Sequence, residues 1–298
     1  MSSLAQEVVD AINEISGAHP GHRAAHAKGT LLAGTFTPSG SGLTTAAHMQ
    51  ETPSRVTVRF SNGGGDPNIP DYAHEGRGMA TKFYAPDGEK TDIVALTLPS
   101  FFVRTPEDFL SFTHARMDPE KLMPDWIGAH PEALPALQAF LASGLPASYA
   151  SCAYNSIHSF RWIDADGKAR YVRYRWEPEA GEATLSAEDA KARGRDYLQE
   201  EILARGETVF RLLVVIAEDS DPVDDPTVPW PAERERVEVG RLVLDGPETE
   251  REQGGDVLVF DPVRVIDGIE LSDDPILRFR SDAYRESVGC RVSAAPAG

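Results

Sequence analysis

An arginine stands four residues ahead of a tyrosine three times in this chain, as Arg170/Tyr174, Arg193/Tyr197 and Arg280/Tyr284. On a helix the two side chains share a face. A guanidinium there favours the phenolate, a hard anionic ligand suited to ferric iron. Spacing alone does not choose among the three pairs. Arg170 and Tyr174 fall in a strand pattern, and Arg193 and Tyr197 in a charged helix expected to be solvated, so context has to choose. The eight histidines are individually weak candidates for an acid–base. Other chemistries lack their signatures: there is no H-E-x-x-H, no G-x-S-x-G and no Cys-His metal cluster. Asn62-Gly63-Gly64-Gly65-Asp66 lacks the spacing of a phosphate-cradling loop and no Lys follows, so it reads as a tight loop after a strand. Cys152 and Cys290 are too few for a disulfide framework and have no metal-ligand spacing.

Strands dominate the elements that must position these residues. In Arg55 to Phe60 the apolar Val56, Val58 and Phe60 alternate with Arg55, Thr57 and Arg59, which predicts a half-buried strand. Met79 to Tyr84, Asp92 to Leu98, Ala169 to Trp176, Val209 to Ala217 and Val237 to Leu244 read the same way. Asp166-Gly167 marks a hairpin between the runs ending at Ile163 and starting at Ala169. Ser3 with Gln6 resembles a capping box opening a helix with Leu4, Val8, Ile12 and Ile15 on one face, ended by Gly17 and Pro20. Pro131 to Ala142 and Ser186 to Ala204 are two further helices. Strands with interspersed helices, without strict alternation, point to an α+β class, and a closed antiparallel barrel would leave no strand edges. The Pro- and Asp-rich chain after about Asp219 is expected to wrap over a core already formed. With no composition shift or linker, residues 1–298 read as a single domain.

The chain has 298 residues, 41% hydrophobic and 26% charged, as in soluble globular proteins. Its formal net charge of −18 argues against nucleic acid and anionic membrane surfaces as partners. Val209 to Ala217 is too short to span a bilayer, and Glu7, Asp10 and Glu14 interrupt any signal-peptide core. A cytoplasmic location is expected.

Seven segments then occur in one order. Arg23-Ala24-Ala25-His26-Ala27-Lys28-Gly29 resembles the distal histidine segment of haem catalases. Val58-Arg59-Phe60-Ser61 with Gly76 to Tyr84 comes next, and then Pro99 to Arg104 with Phe109 and Phe112 behind it. Ser156 to Trp162, Val239 to Leu244, and Phe260-Asp261-Pro262 with Gly268-Ile269-Glu270 follow, and Asp274 to Tyr284 is similar to the catalase proximal helix. The resemblance covers about Gly21 to Arg291 and is closest to the small catalase-like haem peroxidases of bacteria.

It implies an antiparallel β-barrel with surrounding helices and one haem b. Tyr284 would be the iron ligand, with Arg280 holding it as phenolate. His26 would be the distal acid–base, oriented by Ser61. Arg23, Arg59 and Arg291 would pair with haem propionates and Phe109 would pack on the distal haem face. His158 is expected to be structural. The implied partners are a small-molecule peroxide and an organic electron donor, in a homodimer.

Two positions depart from the family. Leu96 stands where catalases carry a distal Asn, so one hydrogen bond for positioning a second hydrogen peroxide is missing, and dismutation should suffer more than the first, oxidising step. A nearby residue such as Thr97 is the one that would restore it. Ala25 stands where catalases carry a bulkier Val, which would open the route to larger peroxides or reductants. The expected activity is peroxide reduction, of hydrogen peroxide or organic hydroperoxides, with weak catalase activity at most. Two alternatives stand beside it. One is a lipid hydroperoxide isomerase or lyase of the allene oxide synthase type, which carries Thr where Ala25 stands. The other is a haem-binding sensor or carrier without turnover.

Overall fold

In a computed structural model, which describes residues 2–85, 88–248 and 257–293, eight strands close into an antiparallel barrel. In chain order the elements are α1 (Leu4–Ser16), β1 (Gly29–Pro38), β2 (Ser54–Asn62), β3 (Arg77–Tyr84), β4 (Lys90–Leu96), α2 (Pro106–Ala115), α3 (Pro119–Ala129), α4 (Leu134–Ala142), β5 (Leu145–Pro146), β6 (Tyr154–Asn155), β7 (Phe160–Ile163), β8 (Ala169–Pro178), β9 (Thr184–Leu185), α5 (Ala187–Ala192), α6 (Tyr197–Ala204), β10 (Thr208–Ile216), β11 (Arg236–Pro247), β12 (Ile269–Leu271) and α7 (Pro275–Ser293). The barrel runs β1-β2-β3-β4-β6-β8-β10-β11 and returns to β1, with β7 and β12 continuing from β8.

Alternation explains the barrel. Val56, Val58, Phe60, Met79, Phe83, Trp176, Phe210, Leu212 and Leu242 point inward and are buried. Each full burial contributes about 1.5–3 kcal/mol. The other face of β1–β4 carries Leu31, Arg59, Ser61, Gly78, Ala80, Val94 and Leu96. Register places Ser61 beside Gly78 and Gly78 beside Leu96. Paired residues project to the same side of a sheet, so these three share one face.

Six strands occur where alternation predicts them, with ends shifted by up to about three residues. The hairpin turns at Gly167, whose φ is 78°. Ser3 caps α1 by accepting from the Gln6 N–H, but the Gln6 side chain donates to Asp10, so only half of the capping box forms. The buried stripe of α1 is Ala5, Val8, Val9 and Ala11, rotated from the predicted face. The predicted helix from Ser186 to Ala204 is two helices, broken at Gly194, whose φ is 107°. Tyr197 is not solvated: it is buried, and its hydroxyl donates to the Pro146 carbonyl. Of the chain expected to wrap after about Asp219, β11 is instead a strand of the barrel itself, while Leu258 to Asp267 wraps it, laying Leu258 and Phe260 against Leu31. Cys152 is buried and its thiol is pushed up to about 12 by desolvation, an inert group, while the Cys290 side chain lies outside the described residues.

Candidate active site

His26 sits in the turn that leads into β1, with φ at 54°, the single non-glycine residue with positive φ among the described residues. A side chain in that region is strained, and the strain persists only where surrounding bonds fix it. Here they do. The His26 N–H donates to the Gly63 carbonyl at 3.2 Å and the Ala27 N–H to the Gly64 carbonyl at 3.0 Å. Arg59 donates from Nη1 to the His26 carbonyl at 2.9 Å and from Nη2 to the Ala27 carbonyl at 3.2 Å. The glycine-rich loop therefore has a role: a Cβ at Gly65 would lie 2.2 Å from the Ala24 carbonyl, so only glycine lets the two loops meet.

The imidazole lies over β2 and β3. Its Nδ1 is 3.0 Å from Ser61 Oγ, and a Cβ at Gly78 would lie 2.9 Å from both Ser61 Oγ and His26 Cε1. Burial first, and then the charges of Arg59, Arg280 and Arg23, push the His26 pKa down to about 3. A hydrogen bond to the Asn62 backbone opposes them. The ring is therefore neutral at pH 7. With the proton on Nδ1, which faces Ser61 Oγ, Nε2 is the basic nitrogen.

A second polar set lies on α7. Arg280 Nε donates to Tyr284 Oη at 2.9 Å, one helical turn apart. Arg280 Nη1 lies 2.9 Å from His158 Nε2, and His158 Nδ1 lies 2.6 Å from Asp274 Oδ2. A guanidinium can only donate, so His158 Nε2 accepts and Nδ1 donates to the Asp274 carboxylate. Burial lowers the His158 pKa, while Asp274 opposes this. The other Asp274 oxygen accepts from the Ile276 and Leu277 N–H groups and so caps α7. One carboxylate thus starts the helix and orients the chain Asp274–His158–Arg280–Tyr284. Sequence reasoning left His158 as structural and gave Asp274 no role. The available signal was an Asp at a helix start six residues before Arg280.

The remaining expected residues lie around these two sets. Arg23 and Arg291 both reach the Leu258 carbonyl, at 3.1 and 3.5 Å. Arg59, expected at a propionate, here holds the His26 turn. Phe109, on α2, stacks against Phe101 with centroids 5.9 Å apart. Leu96 is half-buried beside Gly78, on the face that carries Ser61. Thr97 Oγ1 accepts from the Arg77 N–H at 3.1 Å. Glu75, which sequence reasoning did not single out, is half-buried and accepts from the Gly64 N–H at 3.3 Å. Burial raises its pKa. Arg280 belongs to the α7 set yet lowers the His26 pKa, so the two sets are electrostatically coupled.

Residues 6–296 match the family model described as Catalase. The chain is 45% identical over 296 residues to a catalase-related peroxidase of Mycolicibacterium paratuberculosis, covering 96% of this chain and 94% of the relative. It is 32% identical over 300 residues to a catalase-related peroxidase of Synechococcus elongatus, covering 96% and 88%. A fungal catalase crystal structure superposes with a TM-score of 0.79 at 26% identity, over 95% of this chain and 62% of that one.

Proposed function

The chain belongs to the catalase family and is an oxidoreductase of the peroxidase type, and on that premise we propose that it reduces hydrogen peroxide or organic hydroperoxides with an organic electron donor at a haem b, with weak catalase activity at most. The single observation carrying the site assignment is the pairing of His26, neutral with an uncommitted Nε2, with a phenol oxygen that a guanidinium one turn earlier on the same helix addresses.

The residues fit a haem. Tyr284 Oη is a hard oxygen donor suited to ferric iron, and Arg280 supplies positive charge beside it. Ala80, Val94 and Leu96 offer a half-buried apolar strip of the kind a macrocycle needs. Arg23 and Arg291 converge near the Leu258 carbonyl, where two propionates would find cations. When bound, the haem supplies the redox chemistry, taking oxidising equivalents from peroxide and passing them to the donor.

The chain's own residues supply the proton transfers and the positioning. His26 Nε2 takes the proton from one peroxide oxygen and returns it to the other, which lets the O–O bond break heterolytically. Ser61 keeps the second ring nitrogen protonated, so the basic nitrogen always faces the peroxide. Arg59 and the Gly63 and Gly64 carbonyls prevent the strained turn from relaxing. Asp274, through His158, fixes the rotamer of Arg280 and with it the position of positive charge at Tyr284 Oη. Leu96 offers no hydrogen bond, which favours an organic donor over a second hydrogen peroxide. Residues 1–298 are read as one haem-binding domain, acting as a cytoplasmic homodimer. An optical spectrum of the purified protein, followed by peroxide titration with and without an organic donor, tests the reading. A protein without a haem spectrum, or one whose spectrum ignores peroxide, would overturn it.

A further inference from the structure

Away from the His26 and Tyr284 sets, three side chains from consecutive elements bring metal-ligand atoms together. Asp108 lies in the first turn of α2, His130 at the C-cap of α3, and Glu132 in the 3-10 turn Pro131–Ala133. One ligand atom from each lies within 4.8 Å of the others, and all three residues are half-buried. His130 Nε2 is 3.4 Å from Asp108 Oδ1. Two ligands on a tetrahedral Zn²⁺, with bonds of about 2.0 Å, stand about 3.3 Å apart, so this pair is already at ligand spacing. Glu132 would need a side-chain rotation of the order of 1 Å to join it.

The orientation of His130 is the independent observation. Its Nδ1 lies 2.9 Å from the Trp126 carbonyl, an oxygen that can only accept, so Nδ1 carries a proton and Nε2 is the ring atom turned toward Asp108. An imidazole that gives its other N–H to a backbone carbonyl is the usual outer-shell arrangement of a metal-binding histidine. The ring is locked further by stacking on Trp126, at 4.2 Å and 10°, and Trp126 is itself held by donating to Ser111 on α2. One imidazole nitrogen and two carboxylates thus face one another, a donor set that a divalent cation can neutralise. Among the described residues no Lys or Arg pairs with Asp108 or Glu132.

We propose that Asp108, His130 and Glu132 bind one divalent first-row transition ion, Zn²⁺ before Mg²⁺ or Ca²⁺, and that the ion clips α2 to the α3 end. The nitrogen ligand sets the preference, because imidazole suits zinc and its neighbours while magnesium and calcium take oxygen donors. Water completes the coordination, and neither oxidation nor group transfer is involved. The consequence is mechanical: α2 also carries Phe109, so the clip fixes the helix that bears this aromatic. The site goes beyond the peroxidase reading and does not depend on it.

The test is calorimetric titration of chelator-washed, haem-loaded protein with Zn²⁺, and separately with Mg²⁺. One equivalent of Zn²⁺ is expected to bind and to raise the melting temperature, with no Mg²⁺ heat at the same concentration. His130→Ala should weaken Zn²⁺ binding at least about tenfold, a typical loss for disturbing a metal-site histidine. Because His130 also stacks on Trp126, Glu132→Gln serves as a second variant that leaves this packing in place, and it should weaken binding as well. Absence of Zn²⁺ binding by the wild type would overturn the proposal. So would equal binding by both variants, which would assign the heat to other carboxylates of this acidic chain.

Discussion

The two halves of the candidate site are built from opposite materials. His26 occupies a strained turn, fixed by backbone carbonyls and Arg59, and its Nε2 is the basic nitrogen. Tyr284 occupies a regular helix and ends a chain of hydrogen bonds anchored by a carboxylate that also caps that helix. The difference matches the tasks proposed for them. A group that must move a proton keeps one atom uncommitted, and rigid surroundings must supply the order that atom forgoes. A group that holds an ion loses nothing by being fully committed.

The comparison is broken most severely from the Tyr284 side. Tyr284→Phe should retain the packing and lose the iron ligand, so the haem-to-protein absorbance ratio should fall sharply. An unchanged spectrum would remove Tyr284 from the site. His26→Ala should leave haem bound and slow the reaction with peroxide about 10²-fold or more, read by stopped-flow mixing. If instead haem were lost and the rate per bound haem kept, the assignment of the two sides would be reversed.

Asp274→Asn sharpens the contrast, because it preserves a capping oxygen while removing the charge that orients His158. A loss of about 1–3 kcal/mol in chemical denaturation is expected, with the Tyr284 side disturbed and the His26 chemistry retained.

Acidity separates the halves more gently. The folded His26 pKa is about 3 and the unfolded value about 6.5. A base already neutral at pH 7 stays neutral down to about pH 4, so the peroxide rate should be flat from pH 8 to about 4.5. For stability the sign is opposite to that of a His held in an ion pair. The neutral native state is favoured above 6.5, and stability is lost as pH falls from 6.5 toward 3, because the unfolded chain binds the proton first. A rate that halves near pH 6.5 would indicate an exposed histidine as the base.

The smallest expected effect is that of Leu96→Asn, a few-fold rise in oxygen evolution at unchanged donor oxidation, measured with an oxygen electrode. Vigorous oxygen evolution by the wild type, unaffected by the substitution, would show that Leu96 does not set the preference.

Much of this was legible in the sequence because barrel strands alternate, as Val56, Val58 and Phe60 do. The order of the segments around His26 and Tyr284 carried the rest. The helix α3 was obscured by Pro124 in its interior, whereas Pro106 and Pro119 stand at the first positions of α2 and α3, where proline is a start signal that the reading did not use. The break at Gly194 was missed because one glycine inside a helical pattern is weak evidence. His158 was passed over because its role exists only through residues 116 and 122 positions away in the chain. Arg59 shows the converse. Its type suggested an anion partner, and only the folded turn reveals that it also donates to two carbonyls.

The contacts between the start and the end of the chain bear on biosynthesis. Arg23 and Arg291 share the Leu258 carbonyl, and the Ala24 N–H donates to Ser287 on α7. A nascent chain that has already emerged past His26 therefore has neither Tyr284 nor the helix against which its turn is packed. At about 5–20 residues per second the ribosome needs on the order of tens of seconds to supply them. On the proposed reading, cofactor capture is therefore a late event in the life of each molecule, and a chain truncated before α7 should remain without a pigment.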